Sequence, residues 1–304
     1  MKFAFFLLTS VFLFADLEDH LKELPNKSAA YSMRGIDFIY MINLDERPEK
    51  LRLSFDQLAP FQIYPYRFSA VNGWKLSLDT INDLGLKYSF EMEGGIMGTC
   101  YHLDGNFEPS HEPIHNYGQT YFSHCLARGP IGIALSHISI LEDAYRSGYE
   151  TIWIMEDDIE VIQDPRILPN IIEKLDQLVG VDGWDILFTD RDMRDRNGAY
   201  TTTYWAGIRP DYKSDNDFAM KKTIGEDFYQ IGARSGAHSM ILRRSGIKKL
   251  LQFFKAHQIF FPYDMEYVLP RGIKLFTVKE DIVSNLTKAI SDNGEPNYLN
   301  KENL

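Results

Sequence analysis

Cysteine is nearly missing from this chain: Cys100 and Cys125 are the only two among 304 residues. A dense disulfide scaffold is therefore excluded, and the fold must rest on a hydrophobic core. In an oxidising compartment the two can pair; in a reducing one they read as buried thiols. Basic charge is also scarce, since 32 Lys and Arg face 43 Asp and Glu and leave a net charge of -11 with no long Lys/Arg run. A phosphate backbone rewards a basic face, so nucleic acid is excluded as the main partner. No internal repeat or low-complexity tract is present, which removes repeat arrays and disordered polar tracts.

What is there suits a globular protein. A hydrophobic content of 44% is enough to bury a large core, in one large domain or two small ones. The 17 Tyr, 20 Phe and 4 Trp serve core packing, and such rings also line polar clefts that stack on sugars and bases. The first fifteen residues stand apart. Lys2, the apolar stretch Phe3 to Phe14 and Ala15 form the pattern of a signal peptide or N-terminal anchor, too short to span a bilayer in the usual way. Leu13 stands where a cleavage site prefers a small residue. Export or membrane association through this segment is expected, on the cytoplasmic face if the chain is bacterial and uncleaved. Residues 16–34 are polar and helix-prone and read as a leader. Asn26-Lys27-Ser28 and Asn285-Leu286-Thr287 match the N-glycosylation pattern, as chance alone would supply.

The pattern along the chain is that of an α/β protein. Ile36 to Leu44 reads as a strand. Pro48 fits the first turn of a helix carrying Leu51, Phe55 and Leu58, and Ile63 to Ala70 reads as the next strand. That order is a βαβ unit and implies parallel pairing. Residues 85–129 hold several Gly and Pro with His102, His111, His115 and His124, at spacings that match no standard zinc motif; a loop-rich insertion is expected. A helix over Ile133 to Tyr145 precedes strand 151–155. A second helix over 165–179 carries Ile167, Ile171, Leu175 and Leu178 in register. Strands are expected at 184–188, 237–242 and 272–278, a helix at 246–257, and a flexible loop over 191–227.

The most informative stretch is Thr151 to Asp158. A buried apolar strand runs straight into Glu156, Asp157 and Asp158. Three adjacent carboxylates repel one another and need water, a cation or basic partners. Their place, at the carboxyl end of a strand, is where open α/β sheets bind ligands. Hard oxygen ligands suit Mg²⁺ or Mn²⁺. The alternative is a solvated acidic turn.

Four segments together resemble glycosyltransferase family 25, the lipopolysaccharide and collagen galactosyltransferase group. They are Ile39 to Lys50 (IYMINLDERPEK), Phe68 to Gly73 (FSAVNG), Gly129 to His137 (GPIGIALSH) followed by Glu156-Asp157-Asp158, and Gly236 to Leu242 (GAHSMIL) with Pro262-Tyr263-Asp264. Order and spacing agree across residues 36 to 290. Pro130 stands where the family has Glu, and Asn72 where it has Asp.

The resemblance implies a GT-A-like, Rossmann-type α/β/α sandwich with a mostly parallel central sheet and long active-site loops. Residues 35–304 would be the catalytic domain. It further implies a UDP-sugar donor and Mn²⁺ or Mg²⁺. Asp158 is the expected metal ligand, with Asp157 or Glu156 assisting. Asn43, Arg47, His137, Glu156 and Asp157 are placed on the donor side. Arg47 would pair with the diphosphate or remain a helix-surface arginine, and His137 would lie near the donor or be a satisfied structural histidine. Asp264 is the expected general base on the acceptor hydroxyl, with Asp190 competing. The expected reaction is an inverting transfer of a hexose, galactose first, to a glycan, a lipooligosaccharide or a hydroxylated protein. One rival is a family fold that only holds sugars or nucleotides. Another is a hydrolase with two carboxylates across a glycosidic bond.

Overall fold

The apolar run after residue 36 folds as strand β1 (Phe38–Asn43), buried along its whole length. Pro48 opens helix α1 (Pro48–Leu58), where its missing N–H costs nothing. Strand β2 (Tyr66–Ser69) returns parallel to β1 with Tyr66 opposite Tyr40, so the expected βαβ unit is present. This computed structural model describes residues 17–124, 126–201 and 207–300. The apolar stretch 1–15 and Cys125 lie outside the described residues. Among the described residues no helix is long and apolar enough to cross a membrane, and Cys100 is a buried free thiol.

The chain continues through α2 (Leu78–Leu84), β3 (Leu86–Lys87), β4 (Met97–Cys100), β5 (Ser110–Pro113), β6 (Thr120–Ser123), α3 (Arg128–Arg146), β7 (Thr151–Glu156), β8 (Ile159–Val161) and α4 (Leu168–Val179). Then follow β9 (Ile186–Phe188), β10 (Lys221–Ile224), β11 (Phe228–Ile231), β12 (Ser239–Arg243), α5 (Arg244–His257), α6 (Tyr263–Glu266), β13 (Leu275–Val278) and β14 (Val283–Asn285). Eight strands form the central sheet in the order β10-β11-β13-β9-β12-β7-β1-β2. β12 runs against both its neighbours, β7 and β9, and β11 runs against β13 and β10. The other six strands of the eight point one way. The sheet is mostly parallel in strand direction, while its ladders are mixed.

Alternation along the central strands builds a core on each face. Phe38, Tyr40, Ile42, Ile152 and Ile154 pack with Ile138 and Leu141 of α3 and Leu250 of α5. Ile39, Met41, Trp153 and Met155 pack on the opposite face with Leu58 of α1 and Leu168, Ile172 and Leu175 of α4. The result is the expected α/β/α layering.

Several expectations need correction. Residues 85–129 are a loop-bearing four-stranded antiparallel sheet, β3-β6-β4-β5. Its strands are two to four residues long, and β4 and β5 hold Gly, His and Pro, so they carry no alternation signal. The 191–227 segment ends in β10, whose polar Lys221, Lys222 and Thr223 suit a sheet edge. The three-residue strands β8 and β14 pair outside the main sheet. In α4 the buried stripe is Leu168, Ile172 and Leu175, while Leu178 is exposed. Residues 17–34 pack on the domain: Leu17 is buried, the Lys22 N–H bonds Ser139 Oγ of α3, and Lys27 pairs with Asp143.

Two of the resemblance-bearing segments touch backbone to backbone. A Cβ on Gly73 would lie 1.8 Å from the Arg128 carbonyl oxygen, and one on Gly132 would lie 2.4 Å from Gly73 N and Val71 O. A helix-interior Gly→Ala change ordinarily gains about 1 kcal/mol. Gly132→Ala is expected to do the reverse and lower the thermal midpoint in a circular-dichroism melt; an unchanged or raised midpoint would contradict this contact.

Candidate active site

β1 and β7 are parallel neighbours with Ile42 opposite Glu156, so Asn43 and the carboxylate triplet emerge at one edge. Neighbouring groups fix the turn. Asn43 Nδ2 donates to Asp157 Oδ2 at 2.6 Å and to the Arg47 carbonyl at 2.8 Å. Arg67 Nε in turn donates to Asn43 Oδ1. His137 Nε2 meets Glu156 Oε1 at 3.0 Å, and its buried ring stacks on Tyr263 with centroids 4.0 Å apart. Ser54 Oγ donates to the Asp157 carbonyl and the Leu286 N–H to the Asp158 carbonyl. Three buried side-chain atoms of this site have no hydrogen-bond partner among the described residues: Asp158 Oδ1, His137 Nδ1 and Tyr263 OH; of these the Asp158 oxygen belongs to a carboxylate.

The electrostatics match that orphan. Burial, offset in part by Lys50, lifts the Asp157 carboxyl from 3.8 to about 7. Burial, then the charge of Glu156, raises Asp158. Burial also pushes Glu156 upward, yet the hydrogen bond and charge of His137 outweigh it and leave Glu156 below the usual range. Burial thus makes Asp157 and Asp158 costly to ionise unless a cation stands beside them. The triplet makes no ready three-ligand cage: among the described residues, the group with three ligand atoms within 4.8 Å of one another is Cys100, His102 and Glu112. A cation at Asp158 and Asp157 would complete its shell with water and substrate oxygens, as Mg²⁺ and Mn²⁺ do.

Two cavities meet at these carboxylates. A small one of about 90 Å³ is walled by Arg47, Lys50, Asn72, Trp74 and Asp157. A larger one of about 600 Å³ is walled by Arg194, His238, Tyr263, Asp264 and Asn285. Both share Glu156 and Asp158, and both are bordered by Ser291 and Asn293 of the C-terminal segment.

Residues 36–266 match the model of glycosyltransferase family 25, described as lipopolysaccharide biosynthesis protein. The chain belongs to glycosyltransferase family 25. It is 27% identical over 176 residues to a glycosyltransferase 25 family member of Aedes aegypti, covering 58% of this chain and 24% of that protein. It is similar at 24% identity to procollagen galactosyltransferase 1 of Danio rerio, over 59% of this chain and 27% of the relative. Identity is also 24% to inactive glycosyltransferase 25 family member 3 of Mus musculus, over 57% of this chain and 24% of the relative. The matched region spans only about a quarter of each relative's length.

In this family 25 chain Glu156, Asp157, Asp158 and Asp264 line the cavities, while Asn43 and His137 are buried behind them, bonded to Asp157 and Glu156. Asp264 Oδ2 accepts from the Gly236 N–H at 2.9 Å, and burial raises its pKa. Arg47 is not a helix-surface arginine. It is 1% exposed and holds Asp292 in a two-pronged pair at 2.8 Å and 2.8 Å. Asp190 is set back from the cavities, with no exposed surface. Its carboxylate takes Arg234 at 2.9 Å, His238 at 2.8 Å and Ser284 at 2.9 Å. Despite burial, the charges of Arg234 and His238 hold its pKa far below the ordinary value. Arg234, His238 and Ser284 thus occupy both carboxylate oxygens of Asp190.

Sequence reasoning missed Lys50, His238 and Asp292 as site residues. Lys50 and His238 stand inside quoted segments, but helix-start and strand-start positions carry no mark of function. Asp292 lies far along the chain, in a stretch read as loop. Asn285, from one glycosylation match, is 9% exposed, and its amide bonds the Arg194 backbone through both atoms, so it is no surface acceptor.

The raised Asp157 pKa sets a pH dependence. The folded state holds the proton between about 3.8 and about 7 while the unfolded state releases it, so stability falls as pH rises through that window. Asp157→Asn is therefore expected to raise the thermal midpoint of the chelated protein at pH 8 and to change it little at pH 4. Equal effects at both pH values would contradict the assignment.

Proposed function

We propose that this chain is an active family 25 hexosyltransferase. It moves a hexose, galactose first, from a UDP-sugar to a hydroxyl of a glycan or protein acceptor, with inversion. The observation that carries this reading is the orphaned Asp158 oxygen beside Asp157 and Glu156, at the junction of the two cavities. Asp158 would hold Mn²⁺ or Mg²⁺, with Asp157 assisting. When bound, the cation supplies Lewis-acid stabilisation of the departing diphosphate.

The chain's own residues do the rest. Asn43 and His137 hold the carboxylates in place from below. Lys50 and Arg47 offer positive charge to the diphosphate on the small-cavity side, in exchange for Asp292, which lies 3.6 Å from Lys50. Asp264 faces the larger cavity, where the acceptor would sit. Its raised pKa makes it a stronger base than an exposed carboxylate, fit to take the hydroxyl proton as the new glycosidic bond forms. His238, fixed by Asp190, borders the same space. The alternative is a sugar- or nucleotide-binding module without turnover, favoured by the similarity to relatives named inactive.

The test is release of UDP from a panel of UDP-sugars by the full-length protein, with Mn²⁺, with Mg²⁺ and with chelator. Cation-dependent release, abolished in Asp158→Ala, is expected. UDP binding without release, in the presence of glycan and hydroxylated-peptide acceptors, would support the binding module instead. With an acceptor in hand, Asp264→Asn is expected to lower kcat by about 10²–10⁴-fold with KM for the donor little changed; a wild-type kcat would remove it as the base. Asp292→Asn frees Arg47 and Lys50 and is expected to tighten UDP binding several-fold by calorimetry, whereas weaker binding would show that Asp292 supports the donor side.

A further inference from the structure

We infer that Cys100, His102 and Glu112 form a second metal site, on the small sheet and separate from the carboxylate triplet, suited to Zn²⁺. Sulfur, imidazole nitrogen and carboxylate oxygen of these three lie within 4.8 Å of one another. Cys100 Sγ and His102 Nε2 are 3.5 Å apart. The sequence shows no standard zinc spacing because the hairpin, not the chain order, brings the ligands together.

The register explains the convergence. β4 and β5 pair Cys100 with Ser110 and Gly98 with Glu112. Cys100 and Glu112 are thus diagonal neighbours on one face of the hairpin, within reach of each other. Gly98, directly opposite Glu112, brings no side chain into the space between them. His102 stands two residues beyond β4 and turns its ring back toward the sulfur. The carboxylate is held in turn: Tyr121 OH donates to Glu112 Oε1 at 2.8 Å and Asn116 Nδ2 at 3.3 Å. Ligand carboxylates fixed by outer hydrogen bonds are the usual support of a metal centre.

The donor set chooses the ion. One thiolate, one imidazole and one carboxylate are too soft for Mg²⁺ or Ca²⁺ and fit tetrahedral Zn²⁺, with a fourth position for water. Three protein ligands and a water leave the site open, and the role its surroundings offer is to position the neighbouring loop. The ligands bracket the loop between β4 and β5, and Phe107 of that loop packs on the Arg128 guanidinium at 4.3 Å. Arg128 also donates to the carbonyls of Trp74 and Leu76, and Trp74 walls the small cavity. A metal here would hold that wall in place.

The full-length protein, stripped with chelator, is titrated with Co²⁺ as a spectroscopic probe and then with Zn²⁺. Expected is one equivalent of Co²⁺ giving a thiolate-to-metal charge-transfer band, displaced by Zn²⁺, present in Asp158→Ala and lost in Cys100→Ser. Tyr121→Phe should keep the band and weaken affinity about tenfold or more, as loss of an outer partner does. Should Cys100→Ser fail to fold, His102→Ala, on a half-exposed residue, is expected to lose the tetrahedral signature instead. Absence of the band in folded wild-type protein, or its persistence in Cys100→Ser, would overturn the proposal. Because Asp158→Ala removes the triplet site alone, failure of this site and failure of the transferase reading are distinguishable.

Discussion

Like-charge repulsion among Glu156, Asp157 and Asp158 is the constraint around which this edge of the molecule is organised. Three carboxylates in a row at the end of a buried strand cannot all be ionised without compensation. Each neighbour supplies part of it. His137 takes Glu156, Asn43 takes Asp157, and Lys50 lowers the cost for all three. Even so, Asp157 and Asp158 both remain raised by burial, and one Asp158 oxygen has no hydrogen-bond partner. The fold sets this arrangement, because parallel β1 and β7 end together and α1 and α3 deliver Ser54 and His137 to the same edge.

Buried ion pairs hold the segments around this arrangement. Arg47–Asp292 ties the C-terminal segment over the small cavity, and Trp74 and Tyr298 add hydrogen bonds to the same aspartate. Arg234–Asp190 lies deeper and holds His238 against the larger cavity. Such pairs contribute little net stability when intact, and breaking one leaves a buried charge at a cost of about 3–5 kcal/mol. Their physical value is therefore positional. An anion that displaced Asp292 from Arg47 would have to bring equivalent negative charge to avoid that cost. No such replacement exists for Asp190, which has no access to either cavity.

Legibility in the sequence followed signal strength. β1, α1, β7 and the βαβ order were readable because long apolar or periodic runs carry them. The triplet was readable because charge after a buried strand is costly. The small sheet, β8, β10 and β14 were not, since strands of two to four residues lack periodicity and are specified by pairing at long range. Arg47 lines the small cavity, but its tie to Asp292, 245 residues away, has no local trace in the sequence. Asp190 sits near a strand end as expected of a site carboxylate, and its burial against Arg234 and Ser284 is set by residues distant in sequence. The four resemblance-bearing segments make physical sense together: two of them, FSAVNG and GPIG, touch through glycine backbones, and the other two flank the carboxylates.

The central claim is that the carboxylate triplet binds a divalent cation which the nucleotide then shares. The most direct test is calorimetric titration of UDP into the full-length protein with and without Mn²⁺, repeated for Asp158→Ala. The account predicts UDP binding that is strengthened by Mn²⁺ at least tenfold, with the same strengthening of Mn²⁺ by UDP, as reciprocal linkage requires, and with both effects lost in the variant. UDP affinity that is equal in Mn²⁺ and in chelator, and unchanged by the substitution, would contradict it.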